Sequence, residues 1–493
     1  MLFPAINQED DLIKQASEIV SSLEQAADLV TDNINSGYLA TTLLRYFNLM
    51  MNRESEMSMD TVQETSAWDL SDFESFLQAM PNETDAVGAA LGILRLHVMY
   101  GLSSSDILHG DIKGHMSRSL TFDETLYLVR HIRHRSIATM GINVYNLTWN
   151  WITSVMHEEF DIDEQKRQAL LQRALGFLKS LPCNYTEQYL KIIKSLSSMH
   201  SNLDELSHYS YILKQWKGLD NVCPILSKHP KGELYDLLKN YRKLCRSENT
   251  YTNINTKKHT KPSRTCGCFL LHNNDPILLL APVKMEILHD SRPQIALIHD
   301  AISDKQIRGL KNFSRTQVQR STVTTRAGLV PSDNKISQQM KIRDKQVKQL
   351  LSSFQRRIAA LTQLNSYGLE PLHVANYGVG GQYDVHVDFV FAEASSDKDF
   401  DPDMFDQRLV SVVTYLNDVE DGGATVFPEL GIKVNPRKGT AVMFYSLFRN
   451  GTGNFLSRHA SCPVVYGNKW IAVQWARRSY HYTRYPCTLD RFE

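Results

Sequence analysis

The sequence has no run of 18 or more apolar residues among its 493 positions, so a membrane-spanning helix is not expected. Neither charge is in excess, because 54 Lys and Arg balance 54 Asp and Glu. The chain therefore has no global positive field that would hold nucleic acid or an anionic membrane surface. The first residues, MLFPAINQEDDLIK, lack the apolar core of a signal peptide. These absences predict a folded, soluble chain whose partners are determined by local sites.

Cysteine is scarce, and its seven residues are an odd number, so at least one has no partner within the chain. The late position of the cysteines and five N-x-S/T sequons suggest a secretory compartment. We therefore expect that a leader is missing here or that the natural start lies elsewhere. A zinc site at the C-G-C motif lacks further ligands at a suitable spacing. The sequons are at Asn82, Asn146, Asn184, Asn312 and Asn450.

Residues 10–34 carry apolar side chains at alternating steps of four and three, which is typical of the a/d seam of a helix. The pattern fits an amphipathic helix packed on its own domain and a self-association seam equally well. Further helical patterning includes AVGAALGILRLHVMYGL at 86–102. The seam consists of Leu12, Ala16, Ile19, Leu23, Ala26 and Val30.

From about 120 to 215 the sequence predicts successive short amphipathic helices, such as FDETLYLVRHIRHR and NYTEQYLKIIKSLSSMH. The region is rich in aromatic residues, which either fill the core or line a groove for proline-rich peptides in the polyproline II conformation. The aromatic residues are Tyr127, Tyr145, Trp149, Trp151, Tyr185, Tyr189, Tyr209, Tyr211 and Trp216.

Residues 246–265 are polar and rich in turn formers, as expected of a linker. One more helical stretch is predicted near 336–364, among strand-like runs that are enriched in Val, Tyr, Phe and Thr. These runs, LHVANYGV, RLVSVVTYL, GTAVMFYSL and WIAVQWA, predict a β-sandwich or jelly roll in the C-terminal third.

The motif HVDF puts His386 and Asp388 two residues apart, so on a strand both side chains project to one face. His459 in SRHASCP offers a third ligand. Two histidines and one carboxylate are the set that suits non-haem Fe(II). Alone, an H-x-D motif is more often a simple hydrogen-bonded pair.

Lys469 begins an apolar strand, where an unpaired ammonium would be costly to bury. A dicarboxylate that chelates iron at one end and pairs with Lys469 at the other would satisfy both sites, which describes 2-oxoglutarate. The alternative is a lysine that extends to solvent at the mouth of the barrel.

Four segments closely resemble the catalytic domain of the collagen prolyl 4-hydroxylase α-subunits: VANYGVGGQYDVHVDF, DGGATVFPELGIKVNPRKGTAVMFYSL, RHASCPVVYGNKW and YPCTLD. The likeness covers nearly all of 285–490. It implies a multidomain α+β chain, with an all-α N-terminal half and a C-terminal double-stranded β-helix, or jelly roll, that carries the dioxygenase.

The resemblance also implies the roles of individual residues. Iron would be bound by His386, Asp388 and His459, and the distal carboxylate of 2-oxoglutarate by Lys469. Tyr377 and Thr425 match positions that help to bind the cosubstrate, and Tyr383 and Arg408 match positions that contact the substrate. The expected cofactors are Fe(II), 2-oxoglutarate and L-ascorbate, and the products of the cosubstrate are succinate and CO2.

The domains expected from the resemblance are a dimerising helical region (1–115), a tetratricopeptide-like peptide-binding region (116–240), a linker with cysteines (241–284) and the dioxygenase (285–485). The implied partners are protein disulfide isomerase, procollagen or other proline-rich peptides, and a second α-subunit. The implied compartment is the lumen of the endoplasmic reticulum. Because the sequence ends in LDRFE, without a retention tetrapeptide, we expect retention through the isomerase.

The resemblance implies a disulfide between Cys462 and Cys487, while Cys245 would pair with Cys266 or Cys268. Two features depart from the family pattern. Arg477, which we assign to cofactor binding, stands where a histidine near the cosubstrate is usual. The segment TVTTRAGLVPSDNKISQQMKI lacks an expected tryptophan, and Met340 lies close to that place. Two alternatives therefore stay open: a catalytically impaired peptide-binding or assembly subunit, and a dioxygenase that acts on lysine or on a non-collagen proline-rich protein.

Overall fold

The computed structural model describes residues 83–157, 232–249 and 267–489, apart from 139, 141–143, 316, 326–327, 332–333, 343–347, 390–405, 482 and 484. The chain divides into two compact units. One comprises Ser103–Asp111 and Arg118–Asp236, and the other comprises Met1–Leu102, Ile112–Ser117 and Leu237–Glu493. The predicted self-association seam and most of the aromatic helical region lie outside the described residues.

Helices occur at two of the predicted patterns, at Glu83–Tyr100 for the pattern over 86–102 and at Phe122–His131 for the pattern over 122–135. None of those described is long and apolar enough to cross a membrane. They are α1 Glu83–Tyr100, α2 Ser104–Leu108, α3 Phe122–His131, α4 Arg135–Ala138, α5 Val144–His157, α6 Glu233–Arg246, α7 Pro276–Leu280, α8 Asp304–Ser314 and α9 Lys348–Thr362.

The smaller unit is helical where it is described. Helix α3 begins with a capping box, in which the Thr121 hydroxyl accepts from the Glu124 amide and the Glu124 carboxylate accepts from the Thr121 amide. Helices α3 and α5 bury Phe122, Leu126 and Val155 in one cluster. Trp151 is fully buried, so this aromatic residue belongs to the core.

The larger unit is built on antiparallel sheets, as expected for the C-terminal third. The four predicted strand runs are confirmed and contribute to a nine-stranded sheet in the order β3-β4-β5-β17-β13-β20-β11-β10-β6. Its strands are β3 Cys268–Leu271, β4 Val283–His289, β5 Ile295–His299, β6 Gln319–Arg320, β10 Gln338–Ile342, β11 Leu372–Tyr377, β13 Arg408–Tyr415, β17 Ala441–Tyr445 and β20 Lys469–Arg477.

The larger unit also contains a five-stranded sheet, with its strands in the order β16-β15-β18-β12-β9. It consists of β9 Lys335–Ile336, β12 Gln382–His386, β15 Thr425–Phe427, β16 Ile432–Val434 and β18 His459–Ser461. The remaining strands form pairs: β1 Asp111–Ile112 with β2 His115–Met116, β7 Thr322–Thr325 with β8 Gly328–Pro331, and β14 Asp421–Gly422 with β19 Val464–Tyr466.

The large sheet is covered on both faces, which explains why its central strands are almost continuously apolar. On one face, Val412 joins a cluster that includes Leu310 of α8 and Phe354 of α9. On the other face, Val413 joins a cluster that includes Phe427 of the small sheet. The second cluster leads into the site described below.

The prediction of a helix over 336–364 was wrong for its first part. Residues Gln338–Ile342 form β10, whose Met340 is the register partner of Val374 on β11. The helix in this region is α9, which covers Lys348–Thr362. Residues 338–342 form a strand because they pair with β11. The local sequence pattern does not reveal that pairing partner.

The expected Cys462–Cys487 disulfide is also wrong. Cys462 is bonded to Cys245, with their Cα atoms 5.7 Å apart, although 217 residues separate them in sequence. Cys268 and Cys487 are exposed free thiols. Cys245 lies on the buried face of α6, which packs against the chain beside β18, and this packing brings the two sulfur atoms together.

Candidate active site

The three predicted iron ligands lie together. His386 ends β12 and is the register partner of His459, which begins β18. Asp388 follows two residues after His386, with Oδ1 3.9 Å from His386 Nε2 and Oδ2 3.8 Å from His459 Nε2. One ligand atom from each residue lies within 4.8 Å of the others. This set can hold one metal ion.

Backbone carbonyl groups orient both imidazoles. His386 Nδ1 lies 2.7 Å from the carbonyl oxygen of Asp384, and His459 Nδ1 lies 3.0 Å from that of Ser457. When Nδ1 carries the proton and donates it to the carbonyl, Nε2 keeps its lone pair and faces the cluster. Both rings are therefore held in the tautomer that a metal ligand requires.

The charges of the cluster also suit a cation. Burial lowers the pKa of His386 to about 3, which keeps this ring neutral. Burial opposes ionisation of Asp388, but His459, His386, Arg408 and the Ser411 hydroxyl together bring its pKa below the usual value. The cluster thus offers a neutral His386 ring and one carboxylate anion.

Lys469 lies on the same cavity and is 1% exposed. Its Nζ donates to Ser461 Oγ at 3.0 Å and to Thr425 Oγ1 at 3.5 Å, and it lies 5.5 Å from the centre of the Tyr377 ring. No carboxylate of the described residues pairs with it. Burial lowers its pKa to about 7. This buried ammonium, held only by hydroxyls and aromatic faces, is suited to an anion that enters the cavity.

Of the five other predicted site residues, three line the cavity and two do not. Tyr377, Tyr383 and Thr425 line it, and the Tyr383 ring stacks on His386 with centroids 3.5 Å apart. Arg408 is not among the lining residues. Its guanidinium stacks on the Trp475 ring at 3.8 Å and donates to Glu370. Arg477 is not brought to the cavity either, since its Nε lies 2.9 Å from Glu370 Oε1.

Several lining residues were missed from the sequence. Ser461 could have been found, because it lies two positions after His459 and therefore on the same face of the strand. The same alternation would have found Trp475 from Lys469 and His373 from Tyr377, while nothing in the local sequence marks the remaining polar residues, Lys335 and Gln339. Besides Ser461, the polar and aromatic lining residues that were missed are Lys335, Gln339, His373 and Trp475.

The family model described as the 2OG-Fe(II) oxygenase superfamily matches residues 372–477, which include all nine predicted site residues. The bovine prolyl 4-hydroxylase subunit alpha-1 is 30% identical over 516 residues, which cover 99% of this chain and 92% of the relative. The chain belongs to the prolyl 4-hydroxylase α-subunit family. The family resemblance inferred from the four motif segments is therefore confirmed.

Other comparisons extend this finding. The human subunit alpha-1 is also 30% identical, and subunit alpha-2 of Caenorhabditis elegans is 29% identical over 98% of this chain and 87% of its own length. The solved viral collagen prolyl hydroxylase from Paramecium Bursaria Chlorella virus-1 is 26% identical, with 37% of this chain and 95% of that chain covered. The TM-score of that comparison is 0.30.

Proposed function

We propose that the protein is the catalytic α-subunit of a procollagen-proline 4-dioxygenase. It would hydroxylate C4 of peptidyl proline in collagen-like sequences, using Fe(II), 2-oxoglutarate and O2. The observation that carries this proposal is the joint presence, in one cavity, of the His386–Asp388–His459 cluster and the buried Lys469 ammonium. Family membership at 30% identity over nearly the whole chain supports it.

The cluster fits Fe(II) by its chemistry. Asp388 Oδ2 accepts hydrogen bonds from Ser411 Oγ and from Trp475 Nε1, the latter at 3.0 Å, while Oδ1 accepts none from the described residues. One carboxylate oxygen and two Nε2 atoms are thus available to a metal, and other coordination positions are left for small molecules. When bound, Fe(II) with 2-oxoglutarate and O2 supplies the oxidation of a substrate C–H bond, and the cosubstrate leaves as succinate and CO2.

The role proposed for Lys469 is to anchor the distal carboxylate of 2-oxoglutarate. Thr425 would assist it, since its Oγ1 lies within reach of Lys469 Nζ and accepts a hydrogen bond from Tyr415 OH at 2.8 Å. Tyr377 is the register partner of Lys469 on the neighbouring strand and shields the ammonium from water. Burial makes the ion pair with the cosubstrate stronger than it would be in water.

The substrate proline would approach the side of the cavity formed by Tyr383 and Trp475. Tyr383 covers His386, and Arg408 stacks on Trp475 while Glu370 holds its guanidinium. In this arrangement Arg408 acts on the peptide from outside the cavity, as a charged group at its rim. Arg477 shares Glu370 and would stabilise the same rim.

The finer assignments rest on the resemblance. They include the four domain boundaries, a double-stranded β-helix made by the two facing sheets, L-ascorbate as reductant, and the endoplasmic reticulum lumen as compartment. Protein disulfide isomerase as partner, self-association through residues 10–34 and peptide binding by residues 116–240 belong to the same group. The Cys245–Cys462 disulfide agrees with an oxidising compartment.

The test is the formation of 4-hydroxyproline and succinate from a (Pro-Pro-Gly)-type peptide with Fe(II) and 2-oxoglutarate, with the isomerase co-expressed. Mass spectrometry of the peptide identifies the modified residue and the modified carbon. Turnover on lysine or only on a non-collagen sequence would change the proposed substrate. Peptide binding without peptide-stimulated succinate formation would favour a binding subunit and overturn the enzymatic proposal.

A further inference from the structure

Helix α6 lies far from the family-matched segment in sequence, yet one of its side chains bonds directly to the strand that carries His459. Tyr241 is 2% exposed, and its hydroxyl donates to the backbone carbonyl of Ser461 at 2.9 Å, across 220 positions of sequence. Burial raises the pKa of this hydroxyl well above its usual value, so it stays protonated and remains a donor.

Ser461 is the residue through which this contact reaches the cosubstrate end of the cavity. Its Oγ lies 3.0 Å from Lys469 Nζ, which is the shorter of the two hydrogen bonds to that ammonium. Its backbone also lies between two site strands, because Ser461 is the register partner of both Tyr383 and Thr425. A shift of the Ser461 backbone would therefore move the Ser461 hydroxyl, which accepts the shorter hydrogen bond from the Lys469 ammonium.

A second attachment lies one helical turn further along α6. Tyr241 and Cys245 are four residues apart and share one face of the helix. Cys245 is disulfide-bonded to Cys462, the residue after Ser461. The last residue of β18 and the residue that follows it are thus held by consecutive turns of one helix, the first by a hydrogen bond and the second by a covalent bond.

The end of α6 is itself well supported. Arg246 donates to the carbonyl oxygens of Val98 and Met99, both at 2.7 Å, and so satisfies carbonyl groups at the end of α1. Lys433 of β16 donates to the carbonyl oxygens of Cys245 and Ser247. Helix α6 is therefore a rigid support and not a loosely attached connector.

We propose that Tyr241, assisted by the Cys245–Cys462 disulfide, is a positioning residue for the cosubstrate anchor, because it fixes Ser461 so that the Ser461 hydroxyl holds Lys469 toward the cavity. This inference rests on the proposed role of Lys469 in binding 2-oxoglutarate. It extends the cosubstrate site to a helix that ends 126 residues before the matched segment begins at 372 (372 − 246). Tyr241 touches neither the metal ligands nor the cavity and acts only through Ser461.

The decisive variant is Tyr241→Phe, which removes one hydroxyl and keeps the ring. Tyr100→Phe is a matched control, because the buried Tyr100 hydroxyl donates to the carbonyl oxygen of Pro463 at 2.6 Å, in the same stretch of chain but away from Lys469. Both variants lose one buried hydrogen bond to a backbone carbonyl. Only the first loses the bond at the residue that holds the ammonium.

The affinity for 2-oxoglutarate is measured by anaerobic calorimetry on the full chain loaded with Mn(II), and the KM values for 2-oxoglutarate and for peptide are measured separately. Loss of one such bond weakens an affinity by about threefold to tenfold. We expect that loss for 2-oxoglutarate in Tyr241→Phe, with less than about a twofold change in Mn(II) affinity and peptide KM, and no comparable change in Tyr100→Phe. Hydrogen exchange of the metal-free protein should be faster at residues 459–462 in Tyr241→Phe.

Equal 2-oxoglutarate affinities of the two variants would overturn the inference, as would a parallel loss of metal, peptide and cosubstrate binding in Tyr241→Phe. Failure of the wild-type Mn(II) protein to bind 2-oxoglutarate would instead overturn the proposed function. The double variant Cys245→Ala/Cys462→Ala should add to the loss. If that variant does not fold, Tyr241→Phe still decides the question.

Discussion

Trp475 Nε1 donates to Asp388 Oδ2 at 3.0 Å, and Ser411 Oγ donates to the same oxygen. Both donors lie on neighbouring central strands of the large sheet, where Trp475 and Ser411 are register partners. The carboxylate is therefore fixed in one rotation, with Oδ1 turned toward the open part of the cluster. Such outer contacts set the geometry of a metal ligand as much as the ligand itself does.

Trp475→Phe and Ser411→Ala should each weaken Fe(II) binding by about tenfold, because each leaves the Asp388 carboxylate with one donor fewer. Anaerobic titration of the metal-free protein with Fe(II) measures this directly. Matched controls are Trp470→Phe, on the same strand, and Ser446→Ala, whose buried hydroxyl has no hydrogen-bond partner in the described part of the chain. Equal losses in variants and controls would show a general effect of cavity formation.

Alanine at His386, Asp388 or His459 should abolish succinate formation, since two remaining ligands hold Fe(II) weakly and in the wrong geometry. Metal titration should show the loss of tight binding in each variant. Of the three variants, Asp388→Ala should keep the most residual activity, because water can occupy the vacated position. Retention of most activity in any of the three would refute the assignment of that ligand.

Lys469→Ala should raise the KM for 2-oxoglutarate roughly tenfold to a hundredfold, since a charge-assisted hydrogen bond contributes about 1.5–3 kcal/mol. The peptide KM should change much less. Lys469→Arg should restore affinity only in part, because the planar guanidinium is larger than the compact ammonium that the site encloses. A selective effect on peptide KM would mean that this lysine faces the substrate.

The affinity for 2-oxoglutarate should fall as the pH rises above neutrality. Burial lowers the pKa of Lys469 to about 7, so the cosubstrate-free protein loses this charge as pH increases through that value. A bound carboxylate favours the ammonium, and the dissociation constant should therefore increase by up to about tenfold per pH unit above 7. Calorimetry with Mn(II) between about pH 6 and 9 measures the trend, and Lys469→Arg should remove it.

Arg477→Ala should change the KM for 2-oxoglutarate by less than about twofold, because this guanidinium pairs with Glu370 and does not line the cavity. The variant should instead raise the peptide KM, because Glu370 loses the ion pair with Arg477 and then holds Arg408 less firmly. A rise in the 2-oxoglutarate KM comparable to that of Lys469→Ala would instead make Arg477 part of the cosubstrate site.

The sequence predicted what depends on short-range periodicity. The four apolar runs became strands because both faces of the large sheet are covered, and such strands read as continuous apolar segments. His386 and Asp388 could be paired because residues two apart on a strand share a face. His459 and Lys469 were proposed from their residue types and their place near predicted strands, and the family motifs agreed with both. The roles of these residues remain predictions until they are measured.

The features that sequence reasoning missed depend on contacts across the fold. The pairing of Cys245 with Cys462 requires α6 to lie beside β18, and the position of α6 does not follow from its own amphipathic pattern. The Trp475–Asp388 contact spans 87 positions and joins a strand of the large sheet to the segment that follows β12 of the small sheet. Both contacts depend on how separate elements pack in the fold, so neither has a local signature in the sequence.

The alternation of side chains along β20 limits the mutations that this strand can tolerate. Lys469, Ile471, Val473 and Trp475 all line the cavity, so every second residue of the strand faces it. The segment from Lys469 to Trp475 is about 20 Å long, with the ammonium at one end and the indole at the other. Side chains between the two can be exchanged for others of similar volume. Deleting a single residue, however, would turn either Lys469 or Trp475 to the opposite face of the sheet. Length should therefore be under stricter selection than composition along 469–475.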